Sequence, residues 1–313
     1  MIPTHWLDRP YYSLDAYCKQ RFHQKVYKIA LDAGLTCPNR DGTLDSRGCI
    51  FCSSGGSGDF AVKPMNSVAK QLEAGQAMFG KKKTGTLFIA YFQAYTNTYG
   101  KLEYLSQIYE EALCQPYIVG ISIATRPDCL PLEILDLLSS LKEKYPQKEL
   151  WVELGLQTIH NTTSTYIRRG YPLSVFDAAV KKLSKRNIPV VVHVILGLPG
   201  ESHKMMLETV SYLNHLPIFG IKLQLLHVLK DTDLGKEYLQ GKFQVLEREE
   251  YMNLLIQCLK NLSPNIVVHR LTGDGPKDLL IAPLWSLKKR DFFNSFHNRL
   301  RKSGEYQGQD YSV

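Results

Sequence analysis

The 313-residue sequence predicts an α/β fold whose parallel strands curl into a full or partial TIM-type barrel. Two observations carry this: short β-branched runs alternate with longer amphipathic segments, and each run is apolar for most of its length, as parallel strands covered by helices tend to be. A third is economy, since six or seven βα units in about 245 residues suit a barrel better than a six-strand open sheet.

The expected strands are VYKIAL (26–31), TLFIAYF (86–92), YIVGISIA (117–124), LWVELGLQ (150–157), PVVVHVILG (189–197), GIKLQLLHV (220–228) and NIVVHRL (265–271). Helical segments fall between them: SVAKQLEAGQAMF, LEYLSQIYEEAL, LEILDLLSSLKEKY, LSVFDAAVKKLSKRN, MMLETVSYLNHL and EREEYMNLLIQCLKNL. In 132–145, Leu132, Ile134, Leu135, Leu137, Leu138 and Leu141 build one apolar face against Glu133, Lys142 and Glu143. The expected organisation is an N-terminal arm (1–25), the barrel (26–271) and a C-terminal basic and aromatic extension (272–313). In that extension Lys288, Lys289, Arg290, Arg299, Arg301 and Lys302 mix with Trp285, Phe292, Phe293 and Phe296. Its aromatics suit packing on a barrel end, and its charges suit RNA.

No apolar run reaches eighteen residues and the N-terminal segment has no signal-peptide pattern, so the expectation is a cytoplasmic protein with no membrane association. A formal charge of +8 and a pI near 9.0 favour a polyanionic partner. Cysteines in a reducing compartment point to metal or redox chemistry before disulfides. Cys18, Cys114, Cys129 and Cys258 are scattered and read as small buried hydrophobes. His193, His227 and His269 lie in strand-like runs and read as inward-facing, satisfied polar groups.

The segment CPNRDGTLDSRGCIFCSSGGSGDF is different in kind, because Cys37, Cys49 and Cys52 lie within sixteen residues with no fourth ligand nearby. A structural zinc site closes with four ligands. Three thiolates on a [4Fe-4S] cluster leave one iron open for a cosubstrate. Asn39, Asp41, Gly42, Asp45, Ser46 and Gly48 supply turn chemistry around such a centre, and Phe51 could cover a flat ring.

The pattern C-x11-C-I-F-C resembles the cluster loop of radical S-adenosylmethionine (SAM) enzymes, whose commonest form is C-x3-C-x2-C. The longer first spacing resembles the subgroup containing the elongator catalytic subunit and the bacterial YhcC/YtqA-like proteins. FQAYTNTYG, SIATRPDCL, VELGLQTIHNTTSTYIRRGY, HVILGLPGES and RLTGDGPKDLLIAPLW look like motifs of the latter family, in collinear order. The resemblance implies a partial (β/α)6-type barrel, a [4Fe-4S] cluster on the three cysteines, and SAM cleaved to a 5′-deoxyadenosyl radical. It also implies a low-potential electron donor such as flavodoxin or ferredoxin.

By the same resemblance the cofactor-binding residues are Phe51, Gln93, Tyr95, Thr96, Asn97, Thr125, Glu153, Gln157, Arg168, Arg169, Gly197 and Leu198; no catalytic side chain is assigned. Either Arg168 or Arg169 would take the SAM carboxylate as a two-pronged partner, which lysine cannot copy. The elongator subunit modifies the wobble uridine of tRNA with acetyl-CoA, and the forty or so residues after this barrel are too few for an acetyltransferase domain. The expected substrate is therefore tRNA with a side chain already installed, trimmed from carboxymethylaminomethyluridine to aminomethyluridine. Radical chemistry on a metabolite or protein is the alternative, followed by a non-enzymatic RNA-binding module carrying zinc or an iron-sulfur cluster.

Overall fold

The computed structural model describes residues 3–80 and 84–312. Seven parallel strands form one sheet in sequential spatial order: β1 (Val26–Leu31), β2 (Leu87–Phe92), β3 (Ile118–Thr125), β4 (Glu149–Gln157), β5 (Val190–Leu196), β6 (Gly220–Leu225) and β8 (Val267–Arg270). The edge strands β1 and β8 do not pair, so the curled sheet is a partial barrel, open on one side. The expected single strand at 220–228 ends at Leu225, and Val228–Leu229 turns away as β7 to pair antiparallel with β9 (Leu280–Ala282).

The helices are α1 (Leu14–Phe22), α2 (Val68–Met78), α3 (Leu102–Leu113), α4 (Leu132–Lys144), α5 (Asn161–Tyr166), α6 (Leu173–Lys185), α7 (His203–Leu213), α8 (Asp233–Leu239), α9 (Arg248–Asn261) and α10 (Lys289–Ser303). The crossover helices bury their apolar stripes on the outer face of the sheet, as Leu135, Leu138 and Leu141 of α4 do. Ser67, Ser202 and Thr232 start α2, α7 and α8 by accepting a backbone N–H three residues on.

The inner face runs in layers set by the two-residue period of the strands. Its lower layer is apolar, with Ile89, Trp151 and Val191 packed together and Tyr17 of α1 closing the end against Phe219 at 4.9 Å. The next residues inward, Tyr91, Ser122, Glu153, His193 and Lys222, form a polar layer. The near-continuous apolarity of the strands thus belongs chiefly to their outer face.

The two terminal segments join. The Gln307 side chain accepts from the Tyr12 backbone at 2.9 Å and donates to Ser263 and Ile266 carbonyls at 2.7 and 2.9 Å. Phe292 and Phe296 of α10 are buried, each contributing about 1.5–3 kcal/mol of hydrophobic stabilisation. Packing therefore accounts for these aromatics. Cys18, Cys129 and Cys258 are buried as expected, but Cys114 is exposed at the end of α3, where its thiol meets Tyr145 Oη at 3.3 Å.

Candidate functional site

The cysteine segment follows β1 and folds as a succession of tight turns. Arg40 N–H donates to Cys37 O at 2.8 Å, Gly48 N–H to Asn39 O at 2.7 Å and Cys52 N–H to Cys49 O at 3.0 Å. Gly48 has a φ of +77°, in the left-handed region that glycine occupies without strain. Arg40 clamps the far side, its Nη2 donating to the carbonyls of Cys52 at 3.0 Å and Ser53 at 2.5 Å. Tyr95, after β2, holds the loop at both ends of its side chain: its backbone N–H donates to Gly56 O at 2.9 Å and its hydroxyl to Ser54 O at 2.6 Å.

The loop also polarises two of its thiols. Cys49 is lowered below the usual thiol range, first by a hydrogen bond from Cys52 and then by Asn39 Nδ2, 3.5 Å from its sulfur, and by the nearby Arg126 and Arg40 cations. Cys52, the donor of that pair, is held well above the usual thiol range. A metal centre displaces such a shared proton. Among the described residues no three His, Cys, Asp or Glu side chains converge on one point as a single ion requires. A cubane asks for something else, because each thiolate bonds a different iron. Three thiols around one hollow, polarised by two guanidiniums, fit that group.

The hollow is a cavity of about 140 Å³ at the carboxyl ends of the strands, where open and closed βα folds bind their ligands. Its walls bring together Cys37, Cys49, Cys52, Phe51, Gln93, Tyr95, Thr96, Thr125, Glu153, Gln157 and Arg169. Two of these, Tyr95 (φ +60°) and Gln157 (φ +62°), hold the left-handed conformation that side chains other than glycine seldom adopt, a frequent mark of functional sites. Gln157 lies where the β4–β5 register shifts.

The other expected residues lie outside the walls. Asn97 is buried and donates through Nδ2 to the carbonyls of Ala94 and Ala124, both at 3.0 Å. Arg168 turns to Asp233 of α8, its Nη2 donating to that carboxylate at 2.5 Å while its Nη1 is buried without a partner. Leu198 joins the apolar cluster of Ile50, Ile167 and Leu226 under the cysteine loop, while Gly197 (φ +90°) turns the chain beside Leu246.

Arg169, unlike Arg168, lines the cavity. It is 2% exposed; its Nε donates to Tyr171 O at 3.0 Å, and its Nη1 to Leu156 O at 3.0 Å and Thr158 O at 2.6 Å. Its Nη2 is buried without a partner. A buried donor left unpaired costs about 1–3 kcal/mol, and an acceptor entering the cavity would remove that cost. Arg126 also faces the cavity, held by two bonds to Asp128 at 2.9 and 2.7 Å and lying 4.9 Å from the Tyr171 ring centroid.

Below the cavity Glu153 is the centre of a charge cluster. Its Oε1 accepts from Lys28 Nζ at 2.8 Å and Ser122 Oγ at 2.5 Å; its Oε2 lies 2.6 Å from His193 Nε2 and accepts from Lys222 Nζ. Burial raises the Glu153 carboxyl, but the two ammoniums outweigh it and hold the group well below the ordinary range. Burial pulls Lys222 down to about 7 and His193 to about 4, so the imidazole is neutral. Lys222 Nζ also reaches Tyr91 Oη at 3.1 Å. His269 corrects the expectation of satisfied histidines, since neither of its ring nitrogens has a partner. Lys28 and Lys222 escaped the sequence reading, although a lysine inside an otherwise apolar strand is a visible signal.

Two further hollows adjoin the first. One, of about 360 Å³, fills the open side of the barrel between β1 and β8; the other, of about 180 Å³, lies toward β6, and Gln93 lines all three.

The Radical SAM superfamily model matches residues 46–213, and the Radical_SAM C-terminal domain model matches 218–302. YtqA of Bacillus subtilis (strain 168) is 43% identical over 96% of this chain and 93% of its own length, and YhcC of Escherichia coli (strain K12) is 36% identical over 85% and 84%. More distantly, a tRNA uridine(34) acetyltransferase of Methanocaldococcus jannaschii is 26% identical over 59% of this chain and 33% of its own. Among solved structures, archaeal Methanocaldococcus infernus Elp3 superposes with a TM-score of 0.67 at 16% identity, over 90% of this chain and 64% of that one, a likeness of fold. No helix among the described residues is long and apolar enough to cross a membrane. The strand-end cavity, its cysteine loop and these matches agree: the chain belongs to the radical SAM superfamily, whose cofactors are a [4Fe-4S] cluster and SAM, and within it to the relatives of YtqA and YhcC.

Proposed function

We propose that the protein is a cytoplasmic tRNA-modifying enzyme that trims carboxymethylaminomethyl to aminomethyl on the wobble uridine, the N–CH2 bond being oxidised by two electrons to an imine with SAM as the net oxidant, and water then releasing the two-carbon unit as glyoxylate. One observation carries the cofactor half of this reading: the three cysteines line a single cavity together with Arg169, whose Nη2 is buried without a partner. Cys37, Cys49 and Cys52 hold the cluster, and Arg169 takes the SAM carboxylate, because it lines the cavity while Arg168 lies outside the walls with its Nη2 on Asp233. Gln93, Tyr95, Thr96, Thr125 and Gln157 supply polar contacts around the rest of SAM, with Phe51 against its adenine. Once bound, cluster and SAM supply one-electron cleavage and hence hydrogen-atom abstraction, given a low-potential donor such as flavodoxin or ferredoxin.

The substrate half draws on the net charge of +8, the adjoining charged cavity, and relatives that include tRNA uridine(34) acetyltransferases. Basic residues would hold phosphates, and a splayed-out wobble nucleotide would enter from the open side of the barrel. The test incubates reconstituted protein, SAM and reductant with tRNA bearing carboxymethylaminomethyluridine. Appearance of aminomethyluridine supports the reading, and SAM consumption with an unchanged nucleoside counts against it.

A further inference from the structure

The cavity in the open side of the barrel carries an unbalanced charge. Its walls hold the cations of Lys28 and Arg270 and the partly protonated amine of Lys222 against one carboxylate, Asp274. The anions these cations reach are shared: Lys28 and Lys222 both bond Glu153 beneath the cavity floor, while Arg270, 3.9 Å from Asp274, shares it with Lys289 at 2.6 Å. Each carboxylate therefore serves two cations. His193, the remaining group on Glu153, is neutral and adds no charge of either sign.

A low-dielectric pocket with cations in excess attracts an anion far more strongly than an exposed patch does. His269 lines the same cavity; both its ring nitrogens are buried without a partner, and the ring packs edge-on against Trp151 at 5.3 Å and Phe219 at 5.5 Å. At about 360 Å³ the cavity admits a small polar group, and it shares Tyr91 and Gln93 as wall residues with the cysteine cavity.

We propose that Lys28, Lys222 and Arg270, with His269, form a binding site for a carboxylate on the substrate. The inference rests on the reading above as regards which carboxylate: the carboxymethyl end of the wobble side chain. Seating the acid here places the rest of the side chain toward Gln93 and the cysteine cavity. The titratable groups facing Lys222 come from β1 (Lys28), β2 (Tyr91), β4 (Glu153), β5 (His193) and β8 (His269, Arg270). A bound carboxylate adds a negative charge to this set and favours the ammonium form of Lys222.

The experiment measures equilibrium binding to the reconstituted, SAM-loaded protein for two matched pairs of probes: 5-carboxymethylaminomethyluridine against its carboxamide, and N-benzylglycine against its amide. A preference for the acid of about tenfold or more is expected, the scale of a charge-assisted hydrogen bond. That preference should vanish in Lys222→Met and in Arg270→Gln, two substitutions at separate walls, so that misfolding of one leaves the other to decide. Acid preference in the benzylglycine pair with no binding of the nucleosides would uphold the carboxylate site and remove the wobble-uridine reading. Equal binding of acid and amide in both pairs, or no binding of any probe, would overturn the site itself.

Discussion

Lys28, on the edge strand β1, donates to Glu153, on the central strand β4, at 2.8 Å across the interior of the partial barrel. That bond crosses two intervening strands, so the buried carboxylate ties the open edge to the middle of the sheet. Replacing Glu153 with Gln leaves two ammoniums, Lys28 and Lys222, facing each other without a counter-charge. We expect Glu153→Gln to cost about 3 kcal/mol or more of stability, measured by urea denaturation. Wild-type stability in that variant would show that the cluster is not holding the barrel together.

The two neighbouring arginines should separate cleanly. Arg169→Lys removes the forked side chain from the cavity wall and should weaken SAM binding by about tenfold or more, whereas Arg168→Lys, outside that wall and paired with Asp233, should leave it near wild type. Anaerobic calorimetry with SAM distinguishes them, and the reverse ranking would reassign the carboxylate.

Gly56 controls the shape of the cysteine loop. Its φ is +54°, and a Cβ there would sit 2.3 Å from the Tyr95 ring. Gly56→Ala therefore strains the loop by about 1 kcal/mol or more and displaces Tyr95. Iron retained per chain after reconstitution should fall, while the far-ultraviolet circular dichroism of the barrel stays unchanged. Full iron loading in this variant would mean that the loop adapts.

Acid should destabilise the fold in a defined window. Burial lowers His193, His227 and His297 to about 4 from an ordinary 6.5, each remaining neutral in the folded chain. The unfolded chain binds these protons first, so their contribution is fully present above 6.5 and is lost as pH falls from there to about 4. Thermal midpoints should drop across that interval, and His227→Gln should flatten the slope by one proton. An unchanged slope would show that His227 is protonated in the native state.

The barrel was legible because parallel strands and amphipathic helices differ in period, and VYKIAL became β1 without a residue's shift. The break after Leu225 was not, since LLHV is as apolar as the strand it follows and only tertiary pairing with β9 turns it aside. In the site, the cysteines were legible from spacing, whereas the choice between Arg168 and Arg169 depended on which of two adjacent side chains the fold turns into the cavity wall. Likewise the unpaired nitrogens of His269 and the shared anion between Lys28 and Lys222 arise only where distant strands meet.

The most direct measurement is mass spectrometry of wobble nucleosides in bulk tRNA from cells carrying the intact gene, no gene, or Cys49→Ala. The account predicts that carboxymethylaminomethyluridine accumulates and aminomethyluridine falls in the last two alike. An identical nucleoside profile in all three would contradict it.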